Sequence, residues 1–233
     1  MPLPFALLLQ ALPAQDTLLT PLQAPEPESL SLLDVLMKGG WSMIPILLLS
    51  VLAVYVFVER MLTLQRAKAD PKRFTENVAA YVRSGDVAGA KSYCADRDSP
   101  IARIVRAGLD RLGRPIAEIE ASVEAQGKHE TFLLEKRTDL LASTAGIAPM
   151  LGFFGTVVGM ISAFQQVQAL EGSASPAALA EGIWEALVTT AAGLAVGIIA
   201  LFAYNFLLAR IRRLINDLER ASTDFLDLLQ TPS

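Results

Sequence analysis

Two threonines and one glutamate are the polar residues whose positions within apolar sequence could do chemistry. Thr156 lies in one charge-free stretch and Thr190 in another, and Glu185 precedes Thr190 by little more than one helical turn. A hydroxyl both donates and accepts hydrogen bonds, and a carboxylate holds a proton, so this set could pass protons through an apolar layer. Neither stretch has an Asp, Glu, Lys, Arg or His at its middle. The titrating carboxylate of such a relay must therefore come from another chain.

Three apolar blocks, over 43–58, 143–164 and 183–208, would place these residues in membrane-spanning helices. The chain of 233 residues is 52% hydrophobic, with a mean hydropathy of +0.41, and is thus more apolar than a soluble domain of its length. Sustained strand alternation is missing from the rest of the sequence. The predicted fold class is an all-α membrane protein with three transmembrane helices and a helical cytoplasmic extension.

The positions of Lys and Arg predict how the three helices are oriented. Basic residues follow the first and third blocks, whereas none lies between the second and the third. The sequence therefore predicts an outer N-terminus, an inner C-terminus and an inner position for the long segment 60–142. At 1.5 Å per residue, Thr156 and Thr190 then both lie roughly 10–12 Å below the outer surface. In an oligomer, these antiparallel helices could present one ring of hydroxyls.

Small residues repeat along the second and third blocks. Gly155, Gly159 and Ala163 recur every four residues and so share one helix face. Such faces let helices pack closely in lipid, and packing is the simplest explanation for them. Each threonine alone is also explained by a hydrogen bond to a carbonyl one turn back. The predicted packing glycines are Gly152, Gly155, Gly159, Gly193 and Gly197.

Caps, prolines and glycines predict the remaining segments. The sequence predicts a helix start at each of Asp70-Pro71, Asp86, Ser99-Pro100 and Pro115. The last of these helices is predicted to run on toward the second span. The complete division is 1–28 as a Pro-rich outer tail or signal-like segment, 29–40 as an outer amphipathic helix, 41–59 as the first transmembrane helix, 60–142 as the cytoplasmic helical domain, 143–164 as the second transmembrane helix, 165–182 as the outer (periplasmic) loop, 183–208 as the third transmembrane helix and 209–233 as a cytoplasmic C-terminal helix.

The composition gives little support to other classes of function. The formal net charge of −4 provides no general attraction to nucleic acid. One cysteine, Cys94, and one histidine, His129, cannot build a zinc site within the chain, so we expect a buried thiol and a solvated imidazole. The sequence has neither a Gly-x-x-x-x-Gly-Lys-Ser/Thr loop nor a His-Glu-x-x-His pair. No enzyme activity, metal or cofactor is therefore predicted.

The run APMLGFFGTVVGMISAF over 148–164 resembles the signature of the ExbB/TolQ/MotA proton-channel family. The resemblance covers about residues 30–225, and the length and three spans look most like ExbB or TolQ. The long Pro-rich arm before Leu30 departs from the family pattern and leaves the choice between those two branches open. The other matching segments are EALVTTAAGL over 185–194, Tyr204-Asn205, Gly39-Gly40-Trp41 and Glu59-Arg60.

The resemblance implies a homopentamer in a bacterial inner membrane, with a central pore lined by the second and third spans. It implies a partner resembling ExbD or TolR, whose single span carries a protonatable Asp inside that pore. It also implies a TonB-like or TolA-like protein that spans the periplasm and receives the motion. Thr156 and Thr190 match the family's pore threonines, and Glu185 matches its glutamate at the start of the third span.

The function expected from the resemblance is that of a proton-channel subunit in a motor that energises TonB-dependent transport across the outer membrane. Two alternatives stay open. The chain could be a TolQ-like subunit for envelope integrity or part of a gliding-type motor. It could also be a scaffold that conducts nothing and only holds the partner chain in the membrane lipid.

Overall fold

The computed structural model describes residues 39–67, 71–169 and 176–230, and every regular element in these ranges is an α-helix. The predicted tail 1–28 lies outside the described residues, as does the predicted helix 29–40 apart from Gly39 and Gly40. The all-helical prediction is confirmed for the described part of the chain. In order, the helices are α1 (Met43–Ala67), α2 (Pro71–Arg83), α3 (Val87–Ala95), α4 (Pro100–Leu109), α5 (Ile116–Glu135), α6 (Thr138–Ala169) and α7 (Pro176–Gln230).

Three stretches of helix are long and apolar enough to cross a membrane, and they contain the three predicted blocks. They lie in Met43–Ala67, Ile116–Ala169 and Leu179–Gln230. Large apolar side chains such as Val51 and Phe202 point outward from them. Exposed apolar surface on this scale is typical of a protein surrounded by lipid.

The two long helices α6 and α7 extend further toward each other than the predicted loop 165–182 allows. The α6 helix continues to Ala169 and α7 begins at Pro176. The reason is that the contact between small residues continues past the apolar blocks. A Cβ atom at Gly182 would lie 2.7 Å from the Cβ of Ala163, so the helices still touch there. This packing stabilises helical turns that the sequence pattern assigned to a loop.

The predicted run of one helix from Pro115 into the second span is interrupted at Lys136 and Arg137. Arg137 adopts a φ of 66°, which lies in the left-handed region, and α6 then begins at Thr138. The Thr138 hydroxyl donates to the Glu135 carbonyl at 2.7 Å across this break. The guanidinium of Arg60, on α1, donates to the carbonyl of Leu133 at 3.2 Å. These contacts offset the helical hydrogen bonds that the break removes, so α5 and α6 meet as separate helices.

The third span continues without interruption into the predicted C-terminal helix. The 55 residues of α7 reach about 80 Å in length. No break falls near the predicted boundary at residue 208, because buried apolar residues continue at helical spacing on both sides of it. These residues are Leu207, Ile211, Leu214, Leu218 and Phe225.

The helices α2 to α5 form an extramembrane bundle, in which α2, α4 and α5 pack on the distal half of α7. Two predicted caps are present at its turns. The Gly89 amide donates to the Asp86 side chain at 2.8 Å, and the Ala102 amide donates to the Ser99 hydroxyl at 3.4 Å. A cap of this kind supplies a partner for an amide that the first helical turn leaves free. The caps therefore fix the turns between consecutive helices of the bundle, which surround one apolar core.

The thiol of Cys94 lies in this core, as predicted, and burial raises its pKa to about 11 from 9.0. Since only the thiolate reacts, native protein at pH 8 should be alkylated by iodoacetamide at least about 100-fold more slowly than urea-unfolded protein. The measurement is the rate of mass increase at Cys94. Equal alkylation rates in the two states would contradict the burial of Cys94 and α3 within the bundle.

Candidate functional site

The candidate site lies where α6 and α7 approach each other most closely. A Cβ atom on Gly193 would lie 2.6 Å from the carbonyl oxygen of Ala148 and 2.8 Å from the Cα of Gly152. A Cβ atom on Gly152 would lie 2.9 Å from the carbonyl oxygen of Thr189. Main chain therefore touches main chain, and only glycine fits at these two positions.

The same packing continues along both helices in either direction. Toward the N-terminal end of α7, a Cβ atom on Gly159 would lie 3.1 Å from the Cβ of Ala186. Toward the C-terminal end of α7, a Cβ atom on Gly197 would lie 2.5 Å from the ring of Pro149. Pro149 lies inside α6, where it lacks the amide of a regular helical turn. Gly197 thus makes room for the proline ring between the helices.

Thr190 joins the two helices by a hydrogen bond. Its hydroxyl donates to the carbonyl oxygen of Gly152 at 3.0 Å, and its side chain is partly buried. Because a carbonyl oxygen cannot donate, the only proton of this hydroxyl is committed to Gly152. The hydroxyl oxygen keeps lone-pair capacity and can still accept a hydrogen bond from another group.

Thr156 holds its hydroxyl in a similar way, but within its own helix. The hydroxyl donates to the carbonyl oxygen of Phe153 at 2.6 Å, and the side chain is partly exposed. Because Gly155 faces Thr189 across the contact, Thr156 lies roughly 3–4 Å nearer the N-terminal end of α7 than Thr190 does. The two threonines therefore lie within one helical turn of each other in depth, and each has an oxygen free to accept.

A second pair of hydroxyls, which sequence reasoning did not single out, lies inside the protomer. Thr189 is fully buried and donates to the carbonyl oxygen of Ala186 at 2.8 Å. Ser42 is buried at the start of α1 and donates to the carbonyl oxygen of Gly39 at 3.3 Å. Both hydroxyls face Gly155. The adjacent Thr189 and Thr190 therefore face different surroundings, which the periodicity of α7 could have indicated.

Glu185 lies in the N-terminal part of α7, against the turn that leads into α1. A Cβ atom on Gly40 would overlap the Glu185 carboxylate, and Gly40 also has a φ of 64°. Any other residue there would meet both the carboxylate and the left-handed backbone. Sequence reasoning singled out Gly39-Gly40-Trp41 as a segment that carries the family resemblance, but it missed this contact, which joins residues far apart in the chain.

The site offers hydroxyls, carbonyls and one carboxylate, and no cluster of metal ligands. In the described ranges, no group of three or more His, Cys, Asp or Glu side chains could hold a metal ion. His129 lies on an exposed face of α5. The two threonines can accept hydrogen bonds from a protonated group that lies beside α6 and α7, while the described part of the spans contributes no titrating group at that depth.

These features define a multi-pass helical membrane protein whose later two spans pack through small residues and carry hydroxyls within the apolar layer. Residues 96–220 match the model of the MotA/TolQ/ExbB proton channel family. The chain belongs to that family, whose members are channel and transport proteins.

Several relatives share this sequence pattern over much of the chain. An ExbB-like biopolymer transport protein of Synechocystis sp. is 34% identical over 186 residues, which cover 76% of this chain and 71% of the relative. The Tol-Pal system protein TolQ of Haemophilus influenzae is 38% identical over half of each chain. The biopolymer transport protein ExbB of Neisseria gonorrhoeae is 35% identical over 54% of this chain and 64% of its own length.

Replacing Gly193 with alanine should force α6 and α7 apart, since the new Cβ atom would overlap main-chain atoms that cannot rotate away. We expect the free energy of unfolding in detergent to fall by about 2 kcal/mol. Gly146→Ala is the matched control, because a Cβ atom at this exposed position on α6 meets nothing within 4 Å. Unfolding curves that shift equally for both variants would contradict the contact.

Proposed function

We propose that this chain is the proton-channel subunit of an inner-membrane motor that uses the proton motive force to energise TonB-dependent transport across the outer membrane. In this proposal the chain forms a homopentamer, and α6 and α7 line its central pore. An ExbD/TolR-like protein with a single span carries a protonatable Asp into that pore. A TonB/TolA-like protein that spans the periplasm receives the resulting motion.

The observation that carries the proposal is the arrangement of the two hydroxyls in otherwise uncharged spans. No charged residue or histidine lies over 140–169 or 186–209. Thr190 and Thr156 have their protons bound to carbonyl oxygens, so both present acceptors. An acceptor stabilises a carboxylic acid and not a carboxylate. The threonines would therefore hold the partner's Asp while it is protonated and release it once the proton leaves.

The surface beside Thr190 supports a place for that partner span. Ala191 and Ala195 are exposed and lie one turn apart on α7. Small side chains leave room for another helix to approach the hydroxyl closely. Large apolar side chains such as Ile198 and Phe202 lie further along the same face of α7, toward its C-terminal end.

Glu185 would guide protons into the pore from the periplasmic side. Its carboxylate lies at the outer end of α7 against the turn at Gly40, above the level of the two threonines. A negative charge at a narrow entrance raises the local concentration of cations, including protons. The basic residues after α1 and within α7 support an inner, cytoplasmic position for the bundle and the C-terminus, with the N-terminus in the periplasm.

Replacing Thr190 with valine keeps the shape of the side chain and removes its hydroxyl. We expect proton uptake by vesicles that contain both chains to fall by at least about tenfold, because the acid form of the partner's Asp loses an acceptor. Thr190→Ser should retain most of the flux. Thr189→Val is the matched control, since that hydroxyl faces the protomer interior and bonds its own helix.

The same vesicles separate the proposal from the scaffold alternative. A channel subunit gives flux that disappears when the partner's Asp is replaced by Asn. A scaffold gives no flux above that of empty vesicles with either partner. Wild-type flux in Thr190→Val, with the oligomer intact, would contradict the role of Thr190 while leaving the channel function standing.

Replacing Glu185 with glutamine should lower the flux by roughly tenfold at low ionic strength, through loss of the charge at the entrance. Because salt screens exposed charges, the difference from wild type should shrink as potassium chloride is raised toward about 1 M. Vesicle proton uptake measured across that range is the test. A deficit that does not change with salt would indicate a structural role for Glu185 instead.

A TolQ-like function is the second candidate, and the 38% identity to TolQ of H. influenzae favours it as a rival. A strain that lacks the gene distinguishes the two branches. Loss of labelled ferric siderophore uptake, restored by the wild-type gene, supports the TonB-linked function. Unchanged uptake together with sensitivity to detergent would support the TolQ-like function and exclude the first.

A further inference from the structure

A cleft at the junction of α1, α4, α5 and α6 lies where two apolar spans end. On one side, α1 leaves its charge-free block at Glu59 and Arg60. On the other side, Lys136 and Arg137 immediately precede α6. The cleft therefore lies at the level of a membrane surface, on the side that carries the extramembrane bundle.

The side chains that line this cleft carry an excess of positive charge. Its three carboxylates are already engaged with guanidinium groups. Glu59 binds Arg60 at 2.5 Å and also lies 3.5 Å from Arg137. Among the described residues, neither Arg66 nor Lys136 forms an ion pair. The lining contains the cations Arg60, Arg66, Arg103, Lys136 and Arg137, and the anions Glu59, Asp98 and Glu130.

Buried hydrogen bonds hold several of the charged side chains of the cleft in place. Glu130 is 1% exposed and accepts two hydrogen bonds from Arg103, at 2.8 and 2.7 Å, and one from Gln126 at 2.8 Å. Arg60 is 6% exposed and donates to the Leu133 carbonyl. These buried contacts fix the wall of the cleft, so the more exposed cations are presented from a preorganised surface.

The backbone at Arg137 is the costliest feature of the cleft. A residue with a side chain is strained at a φ of 66° relative to the right-handed region, and glycine or asparagine would fit better. The left-handed turn brings the Arg137 guanidinium to the cleft beside Glu59, which is already bonded twice to Arg60. One carboxylate thus pairs with two guanidinium groups. The positive charge there exceeds the negative charge, so a further anion would be bound favourably.

Apolar side chains flank the charged lining. Leu133 and Leu134 form part of the wall, and Phe132, which is 64% exposed, precedes them on α5. Leu140 is exposed at the start of α6. A ligand that fits both surfaces has an anionic head and an apolar tail.

We propose that this cleft binds the phosphate group of an anionic phospholipid, with the acyl chains against the exposed apolar residues of α5 and α6. Guanidinium and ammonium groups bind phosphate oxygens strongly, and basic pockets at the membrane surface select anionic headgroups. Arg66, Lys136 and Arg137 supply the contacts to phosphate. The bound lipid would hold α1 against the break between α5 and α6, independently of whether the chain conducts protons.

Native mass spectrometry of the detergent-purified protein tests the proposal directly. After incubation with equal amounts of phosphatidylglycerol and phosphatidylcholine, wild type should retain phosphatidylglycerol preferentially. The double variant Arg66→Gln/Lys136→Gln should retain at least about fivefold less. Lys128→Gln is the control, since this exposed lysine pairs with Glu124 on α5 and is not part of the cleft. Arg66→Lys/Lys136→Arg keeps both charges and should retain the lipid.

Four outcomes would overturn the proposal. Equal retention of the two lipids by wild type would show that charge does not select the ligand. Retention unchanged in the double variant, or lost equally in Lys128→Gln, would place the lipid elsewhere. Complete displacement of phosphatidylglycerol by millimolar inorganic phosphate would assign the cleft to free phosphate. Should the double variant fail to fold, the charge-retaining variant and the phosphate titration decide between these results.

Discussion

Contact between the main chains of α6 and α7 is the constraint on which the rest of the molecule depends. In lipid, burial of apolar surface drives helices together only weakly, so close van der Waals contact has to hold them. Gly152 and Gly193 allow that contact, and it sets the register in which Thr190 reaches the carbonyl of Gly152. The hydrogen bond therefore exists because the glycines bring the helices close enough for a short side chain to cross between them.

Outside the membrane, a different force holds α7. The bundle of α2 to α5 packs apolar side chains against the distal half of α7, and Gly108 on α4 approaches Phe225 so closely that a Cβ atom would lie 2.6 Å from its ring. The paired charges of Arg103 and Glu130 close one side of this bundle. Burial of apolar surface stabilises this half of the molecule, whereas shape complementarity between small residues stabilises the membrane half.

Local patterns predicted much of this architecture, because they depend on neighbours in the chain. The starts of α2 and α4 coincide with the predicted prolines, and the caps at Asp86 and Ser99 follow from their own residue types. The break at Arg137 and the contact between Gly40 and Glu185 could not be predicted in the same way. Both depend on residues that lie far away in sequence, Glu59 in one case and α7 in the other. The helical turns up to Ala169 and from Pro176 onward fall in the predicted loop 165–182, because hydropathy does not register contacts between small residues.

Because α7 has no break, a tilt of the helix at one point displaces residues all along its length. About 35 residues separate Thr190 from Phe225, which corresponds to roughly 50 Å of helix. A tilt of about 5° at the level of Thr190 would carry Phe225 sideways by roughly 4–5 Å. Phe225 is fully buried against α4, so such a displacement would drag the extramembrane helices with it instead of dissipating at a hinge. A small event deep in the membrane would thereby be amplified at the far end of the molecule.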